Sequence, residues 1–222
     1  MKFQNKNSPK GFTLIELLSV ITIIAAITAM SVPRLFSSSN KVNQTAMELA
    51  GLLEQARQCA VAQNTNVWVA FNTQTVNNVD RLTVAVVTSR DGTDPDTYGT
   101  VPSSAFSLAC KVRVFEQFQL KDAGAFTAAQ VTSLPLTPTT GPANALSSNT
   151  VFDIYIPGSS TPVAFTKSIR FSPSGKAQNS SSPIDVVEFS LQPARSSTSA
   201  DADNVVVMRV NGLTGLSHVY RR

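Results

Sequence analysis

A long apolar run from Phe12 to Val32 constrains this chain more than any other feature of its sequence. Its 21 residues would form a helix about 31 Å long, which matches the ~30 Å hydrocarbon core of a bilayer. One acid, Glu16, lies inside the run, and a carboxylate at membrane depth costs about 2.5–3.5 kcal/mol. The sequence therefore predicts a membrane-spanning helix whose first turn carries one charge that needs compensation.

A cut between Gly11 and Phe12 would supply that compensation. Phe12 would then carry a free amine four residues before Glu16, and the start of a helix favours a negative charge. The terminal amine of a neighbouring copy could neutralise Glu16 as well. Three lysines precede the cut, namely Lys2, Lys6 and Lys10.

This pattern resembles the class III signal of type IV pilins and type II secretion pseudopilins. In that family a prepilin peptidase cuts after the glycine and methylates the new N-terminal phenylalanine. A glutamate at the fifth mature position then guides assembly into a helical filament. Lys10, Gly11, Phe12 and Glu16 match these positions, and Pro33 matches a proline that often kinks or loosens the pilin helix.

The resemblance implies a single-pass protein of the bacterial inner membrane with an extracytoplasmic C-terminal domain. Its implied partners are the prepilin peptidase, other pilin or pseudopilin subunits and an inner-membrane assembly platform. The implied fold is α+β and pilin-like, with one long N-terminal helix packed on an antiparallel sheet. The segments are a leader over 1–11, a transmembrane or filament-core helix over 12–32, its amphipathic continuation over 33–64, and a β-rich domain over 65–222.

An ordinary secretory signal peptide is the main alternative, with small residues at 29–31 permitting a cut before Val32. The apolar part of such a peptide is about 7–15 residues long and carries no acid, which disfavours this interpretation. A plain membrane anchor is the second alternative. Either would leave a β-rich binding domain that acts outside any filament.

Composition is compatible with one extracytoplasmic domain. Of the 222 residues, removal of the leader and the apolar run leaves 190, within the usual range of about 100–200 for a domain. The leader takes three of the 18 basic residues with it, leaving 15 against 14 acids. The net charge of the mature chain is therefore close to zero and gives no reason to expect binding to nucleic acid.

Helical periodicity continues beyond Pro33. Residues 37–40 offer an N-terminal cap, and residues 63–66 end the pattern. Between them, apolar residues recur at steps of three and four, which predicts one buried helical face. This face consists of Val42, Ala46, Leu49, Leu53, Ala56 and Ala60.

After residue 66 the pattern changes to short β-branched runs separated by turn residues. A helix followed by consecutive strands predicts an α+β fold with an antiparallel sheet. Asn77 and Asn78 predict the first turn. The predicted strands are 67–71, 82–87, 112–115, 151–156, 168–171, 186–191, 205–210 and 218–220, with long surface loops over 89–107 and 122–149 and a shorter one over 196–204.

Cys59 and Cys110 are the two cysteines of the chain. Disulfides persist outside the cytoplasm, and a bridge here would close a loop of about 50 residues, worth roughly 4 kcal/mol in the chain-entropy model. Two buried thiols are the other interpretation. Sequence alone leaves both open.

Catalytic motifs are absent. The single histidine, His218, cannot build a histidine-rich metal site, and no nucleophile-elbow motif is present. The sequence therefore predicts no enzyme and requires no cofactor. Carboxylates on a turn can hold Ca²⁺, which makes Asp91, Asp94 and Asp96 weak calcium candidates. Asp201 and Asp203 are weaker still, and solvated turns are the default interpretation of both clusters.

Positive charge also gathers near the C-terminus, at Arg209, Arg221 and Arg222. Some minor pilins bind DNA through basic residues in this region, but three arginines without interleaved aromatic residues are thin support for phosphate binding. Nucleic acid is not an expected partner, and a DNA-uptake pilin remains only an alternative.

Two further passages suggest a subgroup. Residues 52–62 and 169–175, the latter with the pattern F-x-P-x-G, are similar to the GspH/FimT group of minor pseudopilins and pilins. Residues 62–69 and 213–221 also resemble the Verru_Chthon cassette protein D pilin-like family. The Gly-Arg-x-Arg ending of the GspH/FimT group is missing over 212–218. The hypothesis from sequence is a minor pilin-like filament subunit.

Overall fold

A computed structural model describes the chain over 13–35, 38–90, 92, 100–102, 104–122, 145–146, 150–156, 159–179, 184–194 and 204–221. Within these ranges, the side chains of residues 26, 28–35, 38–40, 100 and 122 are left undescribed. The chain forms two compact units, Met1–Asn40 and Lys41–Arg222. The predicted leader over 1–11 lies outside the described residues.

Two helices occupy the N-terminal part. Helix α1 covers Leu14–Leu35 and α2 covers Ser38–Gln63. The sequence predicts one continuous helix here, and the two residues between α1 and α2 lie outside the description. Helix α2 ends where predicted, because Asn64 adopts the left-handed conformation with φ of 50°. The Thr65 amide then donates to the carbonyl of Ala60 at 3.2 Å, which closes the helix with a Schellman motif.

The rest of the described chain is built from strands. In chain order these are β1 (Val67–Val76), β2 (Val79–Ser89), β3 (Thr100–Val101), β4 (Phe106–Leu108), β5 (Arg113–Glu116), β6 (Phe118–Asp122), β7 (Val151–Ile154), β8 (Val163–Phe165), β9 (Lys167–Phe171), β10 (Ala177–Gln178), β11 (Val186–Pro193), β12 (Val206–Asn211) and β13 (Ser217–Arg221). Each predicted strand overlaps one of these strands. The short strands β3, β4, β8 and β10 are not predicted, and neither is β6.

These strands form three sheets. Sheet A has the order β10-β9-β1-β2-β4, with β5 also paired to β2. Sheet C has the order β13-β12-β11-β6, and the small sheet B has the order β3-β7-β8. All pairs are antiparallel except β3 with β7, which is parallel. The α+β class with antiparallel pairing is therefore confirmed. The structure has three sheets where the sequence predicts one antiparallel sheet. The predicted surface loop over 89–107 contains the short strands β3 and β4.

The main core joins α2 to sheets A and C. All six predicted stripe residues of α2 are at most 1 % exposed, as are Val69 of β1 and Phe189 of β11, and they belong to one apolar cluster. Each fully buried large apolar side chain contributes about 1.5–3 kcal/mol. The helical stripe is thus the feature around which the two sheets pack.

Sheet A is buried on its opposite face as well. Trp68 and Ala70 of β1 point away from α2 and pack with Phe152 of β7 and Phe165 of β8 in a second apolar cluster. The rings of Trp68 and Phe152 lie 5.8 Å apart. Burial on both faces explains why residues 67–71 read as a continuous apolar run rather than as an alternating one.

The β1–β2 hairpin has the predicted turn. Val76 pairs with Val79, and the two residues between them, Asn77 and Asn78, have φ of 53° and 61°. Positive φ at both central residues is characteristic of a type I′ turn, which matches the twist of the flanking strands. Asparagine tolerates this conformation better than other residues that have a side chain.

Gln117 carries the chain from sheet A to sheet C. It lies between β5 and β6 with φ of 67°. Its amide donates to the carbonyl of Asp80 at 2.7 Å, and its carbonyl accepts from the amide of Ala194 at 2.9 Å. The Lys41 ammonium group donates to its side-chain oxygen at 3.1 Å and lies 5.9 Å from the ring centre of Phe118. This corner therefore connects both sheets with the start of α2.

Two turns meet over α2 at Arg57. Gly175, with φ of 78°, lies in the turn between β9 and β10, and Gly215, with φ of 67°, lies in the β12–β13 hairpin. A Cβ atom at Gly215 would lie 2.1 Å from the Gly175 carbonyl oxygen and 2.8 Å from Cδ of Arg57. Only glycine fits there, since it tolerates positive φ and leaves room for the second turn.

Arg57 is held in this contact by Glu54. Its Nε and Nη2 atoms donate to the two carboxylate oxygens at 2.9 and 2.6 Å. These hydrogen bonds lower the pKa of the Glu54 carboxyl and raise the pKa of Arg57. The bidentate geometry fixes the guanidinium plane, so the Arg57 stem is positioned to support the turn at Gly215.

We expect Gly215→Ala to lower the free energy of unfolding by at least about 2 kcal/mol, because it adds left-handed strain to a steric overlap. The matched control is Gly51→Ala in α2, where a Cβ atom has nothing within 4 Å. That change should stabilise by roughly 0.5–1 kcal/mol. Thermal unfolding of the full chain in mild detergent measures both. Equal effects of the two substitutions would contradict the turn contact.

The Glu54–Arg57 pair should contribute about 0.5 kcal/mol at neutral pH, as expected for a partly exposed helical pair. Because the folded-state pKa of Glu54 is lowered, this contribution is present above the unfolded pKa. It is lost as the pH falls through the folded-state value. The stability gap between wild type and Glu54→Gln should therefore close in acid.

Denaturant unfolding at several pH values measures this gap. The control is Glu48→Gln, since the Glu48 carboxylate lies 3.8 Å from Arg113 with both side chains about half exposed. A gap at Glu54 that is unchanged down to pH ~2 would contradict the assignment.

Candidate functional site

The first turn of α1 forms a capping box. The Thr13 amide and hydroxyl both donate to Oε2 of Glu16, each at 3.0 Å. In return the Glu16 amide donates to the Thr13 hydroxyl oxygen at 3.3 Å, and the Leu17 amide donates to the Thr13 carbonyl at 3.2 Å. Thr13 is thus the N-cap of α1 and Glu16 its third residue, the reciprocal arrangement that starts many helices.

Sequence reasoning assigned Glu16 a role in charge neutralisation and missed Thr13 altogether. The signal was present, because a threonine followed three residues later by a glutamate before an apolar run is the signature of a capping box. The capping hydrogen bonds hold the carboxylate at the very start of the helix. Its other oxygen, Oε1, accepts no hydrogen bond from any residue that the structure describes.

The remaining polar groups of this turn are satisfied inside the helix. The hydroxyl of Ser19 donates to the carbonyl of Glu16, and the hydroxyl of Thr22 donates to the carbonyl of Ser19, both at 2.8 Å. Hydroxyls that bond back to the preceding turn add no demand for outside partners. In the described stretch 13–25, Glu16 is the one charged side chain.

Around this carboxylate, the described surface of α1 is mostly apolar. Every described large apolar side chain of α1 is at least half exposed, from Val20 at 50 % to Leu14 at 82 %. A helix that is apolar all round is normally buried in a larger assembly or in lipid. Judged by length together with hydropathy, no helix in the described part of the chain qualifies as a membrane span. The exposed residues are Leu14, Ile15, Leu17, Leu18, Val20, Ile21, Ile23, Ile24 and Ile27.

The cleavage residues predicted from sequence, Lys10, Gly11 and Phe12, lie outside the described residues. Pro33 lies within α1, two residues before its last residue, Leu35. The structure thus places Glu16 and Pro33 on the same helix. The processing role of the first three residues stays a prediction.

The predicted calcium candidates, Asp91, Asp94 and Asp96, also lie outside the described residues, as do Asp201 and Asp203. Across the ranges that the structure describes, no group of three or more His, Cys, Asp or Glu side chains is arranged to hold a metal ion. The calcium hypothesis is therefore neither supported nor tested by the fold.

The basic residues near the C-terminus are engaged in contacts within the domain. Nε of Arg209 lies 3.0 Å from the carboxylate of Glu188. The Arg221 guanidinium donates to Asn43 at 2.7 Å and to Asn204 at 3.3 Å. Opposite Arg209 in the ladder stands His218, and Arg222 lies outside the described residues. These contacts hold the described arginines against other residues of the domain. They do not arrange the arginines as a row that could bind phosphates.

The two cysteines lie in unit Lys41–Arg222. Cys59 is on α2, Cys110 follows β4, and both are half-buried free thiols in the structure. Both pack against the cluster between α2 and the sheets.

Comparison with known families identifies the N-terminal segment. Residues 6–32 match the family model described as the prokaryotic N-terminal methylation motif. The chain has no significant match among curated proteins or among solved structures. The matched segment contains the predicted cut site and the Thr13–Glu16 capping box. The chain therefore carries a type IV pilin-like signal, of the kind found on precursors that prepilin peptidase processes.

Proposed function

We propose that this chain is the precursor of a minor pilin-like subunit of a type IV pilus or a type II secretion pseudopilus. A prepilin peptidase cuts between Gly11 and Phe12, and the mature chain joins a helical filament. The observation that carries this proposal is the match of residues 6–32 to the methylation motif. The match coincides with an apolar helix that has a single carboxylate in its first turn.

The exposed apolar surface of α1 supports assembly. Nine large apolar side chains are at least half exposed, and leaving one such group in water forfeits about 1.5–3 kcal/mol. Equivalent helices of neighbouring subunits would cover this surface in a filament core. Before assembly, the bilayer would cover it, with the lysines of the leader held on the cytoplasmic side.

Glu16 would select the position of the incoming subunit. Cleavage creates an amine at Phe12, which methylation leaves positively charged. Both this amine and the Glu16 carboxylate would be stranded in an apolar filament core, where an unpaired charge is very costly. A contact between the amine of one subunit and the carboxylate of the next cancels both charges.

The capping box makes this contact geometrically simple. Thr13 occupies Oε2 of Glu16 and fixes the carboxylate at the helix start, while Oε1 accepts no bond from the described residues. A charged amine is the kind of donor that a carboxylate oxygen binds most strongly. The helix start thus presents one oriented acceptor to the neighbouring subunit.

Two contacts in the C-terminal unit support the GspH/FimT group as the subgroup within this class. The F-x-P-x-G segment forms the turn between β9 and β10, where the Gly175 amide donates to the carbonyl of Ser172 at 2.8 Å. A Cβ atom at Gly175 would lie 3.3 Å from Val61 and 3.5 Å from Arg57, both in the similar segment 52–62. The two passages that suggested the subgroup therefore lie against each other. The Verru_Chthon cassette protein D family is the alternative subgroup.

The remaining partner and the location of the C-terminal unit are those expected for a pilin or pseudopilin subunit. An inner-membrane assembly platform would draw the helix from the membrane into the filament. The unit Lys41–Arg222 would lie on the extracytoplasmic side and form the outer surface of the filament. No catalytic role and no cofactor belong to this proposal.

We expect Glu16→Gln to be processed normally and to assemble at least about tenfold less well, because it retains an oxygen for the Thr13 amide but loses the charge. Glu16→Ala should show at least the same loss. Filaments sheared from native cells, quantified by immunoblot beside the cell-bound mature chain, give the assembled fraction.

The matched control is Thr13→Val, which removes the capping hydroxyl and leaves the charge of Glu16 intact. It should weaken the start of the helix by about 1 kcal/mol and reduce assembly much less than Glu16→Gln. Normal filament levels in Glu16→Gln would disprove the charge-pair mechanism. If the wild-type chain is absent from sheared filaments, the result would favour the alternative function, a β-rich binding domain outside any filament.

A further inference from the structure

An irregularity in the strand pairing at the edge of sheet A changes the face of the sheet on which one cysteine side chain lies. Strands β4 and β5 both pair with β2 along the same edge, where Val87 is opposite Leu108 and Val84 is opposite Arg113. Val84 and Val87 of β2 are three residues apart, whereas their partners Leu108 and Arg113 are five residues apart. The two extra residues form a bulge between β4 and β5, and Cys110 lies within it.

The bulge changes which face of the sheet Cys110 reaches. In a regular strand, residues two or four apart lie on one face, so residue 110 would join Phe106 in the cluster between sheets A and B. Val112, after the bulge, does lie in that cluster together with Phe106. Cys110 instead packs against the opposite cluster, the one that contains α2. A bulge that re-aims a side chain in this way is a specific structural device.

Cys59 packs against that same cluster from the helix side. It precedes Ala60, which is fully buried, and is itself half-buried against the core. The Val86 carbonyl accepts from the amide of Ala109 at 2.8 Å. This main-chain hydrogen bond holds the bulge to β2 next to Cys110.

The two sulfurs also affect each other electrostatically. Burial raises the pKa of both thiols, and the charge of Cys110 raises the pKa of Cys59 further. At neutral pH both groups are therefore mostly protonated and react slowly with exogenous reagents. Oxidation of the pair by exchange therefore needs a disulfide donor.

We propose that Cys59 and Cys110 form an intramolecular disulfide that cross-links α2 to the bulged edge of sheet A once the domain is outside the cytoplasm. The geometric basis is the bulge, which turns Cys110 away from its regular face and toward the cluster that holds Cys59. The oxidising compartment rests on the proposed function, whereas the ability of the two thiols to pair does not.

The chemistry is thiol–disulfide exchange with a disulfide donor, either an oxidoreductase or oxidised glutathione. The thiolate of one cysteine attacks a donor sulfur, forms a mixed disulfide and releases the first donor thiolate. The second cysteine thiolate then attacks the mixed disulfide, which forms the Cys59–Cys110 bond and releases the second donor thiolate. Two protein thiols are oxidised, one donor disulfide is reduced, and the two protons pass to the donor thiolates.

The full-length chain, purified in mild detergent and equilibrated with oxidised and reduced glutathione, provides the test. After acid quenching and denaturation, a polyethylene glycol maleimide labels every thiol that remains. Oxidised wild type should gain no label, and wild type treated with a phosphine reductant should gain two. Cys59→Ser and Cys110→Ser should each gain one label whether or not glutathione disulfide was present. Any loss of this label through a mixed disulfide with glutathione should be reversed by the reductant.

A stability measurement distinguishes a native cross-link from an incidental one. Closing a loop of about 50 residues should raise the Tm of the oxidised wild type above that of its reduced form by roughly 10 °C. The Cys59→Ser/Cys110→Ser double variant should show no response to the redox buffer. Two labelled thiols in the oxidised wild type, disulfide-linked dimers alone, or an oxidised form less stable than the reduced one would overturn the proposal.

Because this experiment uses purified protein, failure of export or of filament assembly does not affect its outcome. The same labelling on cells trapped with acid reports the compartment separately. A pair that forms in the purified chain but stays reduced in cells would count against the extracytoplasmic location. In that case the disulfide proposed for the exported domain would be overturned as well, while the pairing geometry would stand.

Discussion

Burial of the apolar stripe of α2 is the interaction on which the rest of the described domain depends. The stripe joins one continuous core with residues of sheets A and C. The corner at Gln117 and the turns at Gly175 and Gly215 matter because they bring strands to that helix. Sheet B then covers the opposite face of sheet A. The result is a domain in which residues 67–71 of β1 and 82–89 of β2 are buried on both sides.

Helix α1 carries the same kind of apolar surface, but the residues that the structure describes do not cover it. Its described large apolar side chains are at least half exposed, and the hydroxyls of Ser19 and Thr22 bond back to carbonyls of the helix. Its one carboxylate is held at the first turn by Thr13. Such a surface is stable only in contact with lipid or with other helices. Together with the methylation motif over 6–32, this surface supports the proposal that the chain is a filament subunit.

Much of this could be read from the sequence, because the signals were local. The α2 stripe follows helical periodicity, Asn77 and Asn78 fit a type I′ turn, and residues 63–66 stop the helix. The capping box was equally local and was overlooked. Separate sheets and the Cys110 bulge could not be predicted, since both depend on pairing between distant residues. Short strands such as β3 carry too few residues for a periodic signal.

The N-terminus of the mature protein, determined by mass spectrometry on material from its native membrane, tests the central claim most directly. The account predicts a chain that begins at Phe12 with an N-methylated amine. A chain that begins near Val32 would contradict it and would indicate a secreted domain. A chain that retains Met1 and the leader would indicate a plain membrane anchor, and the charge pair at Glu16 would have no partner amine.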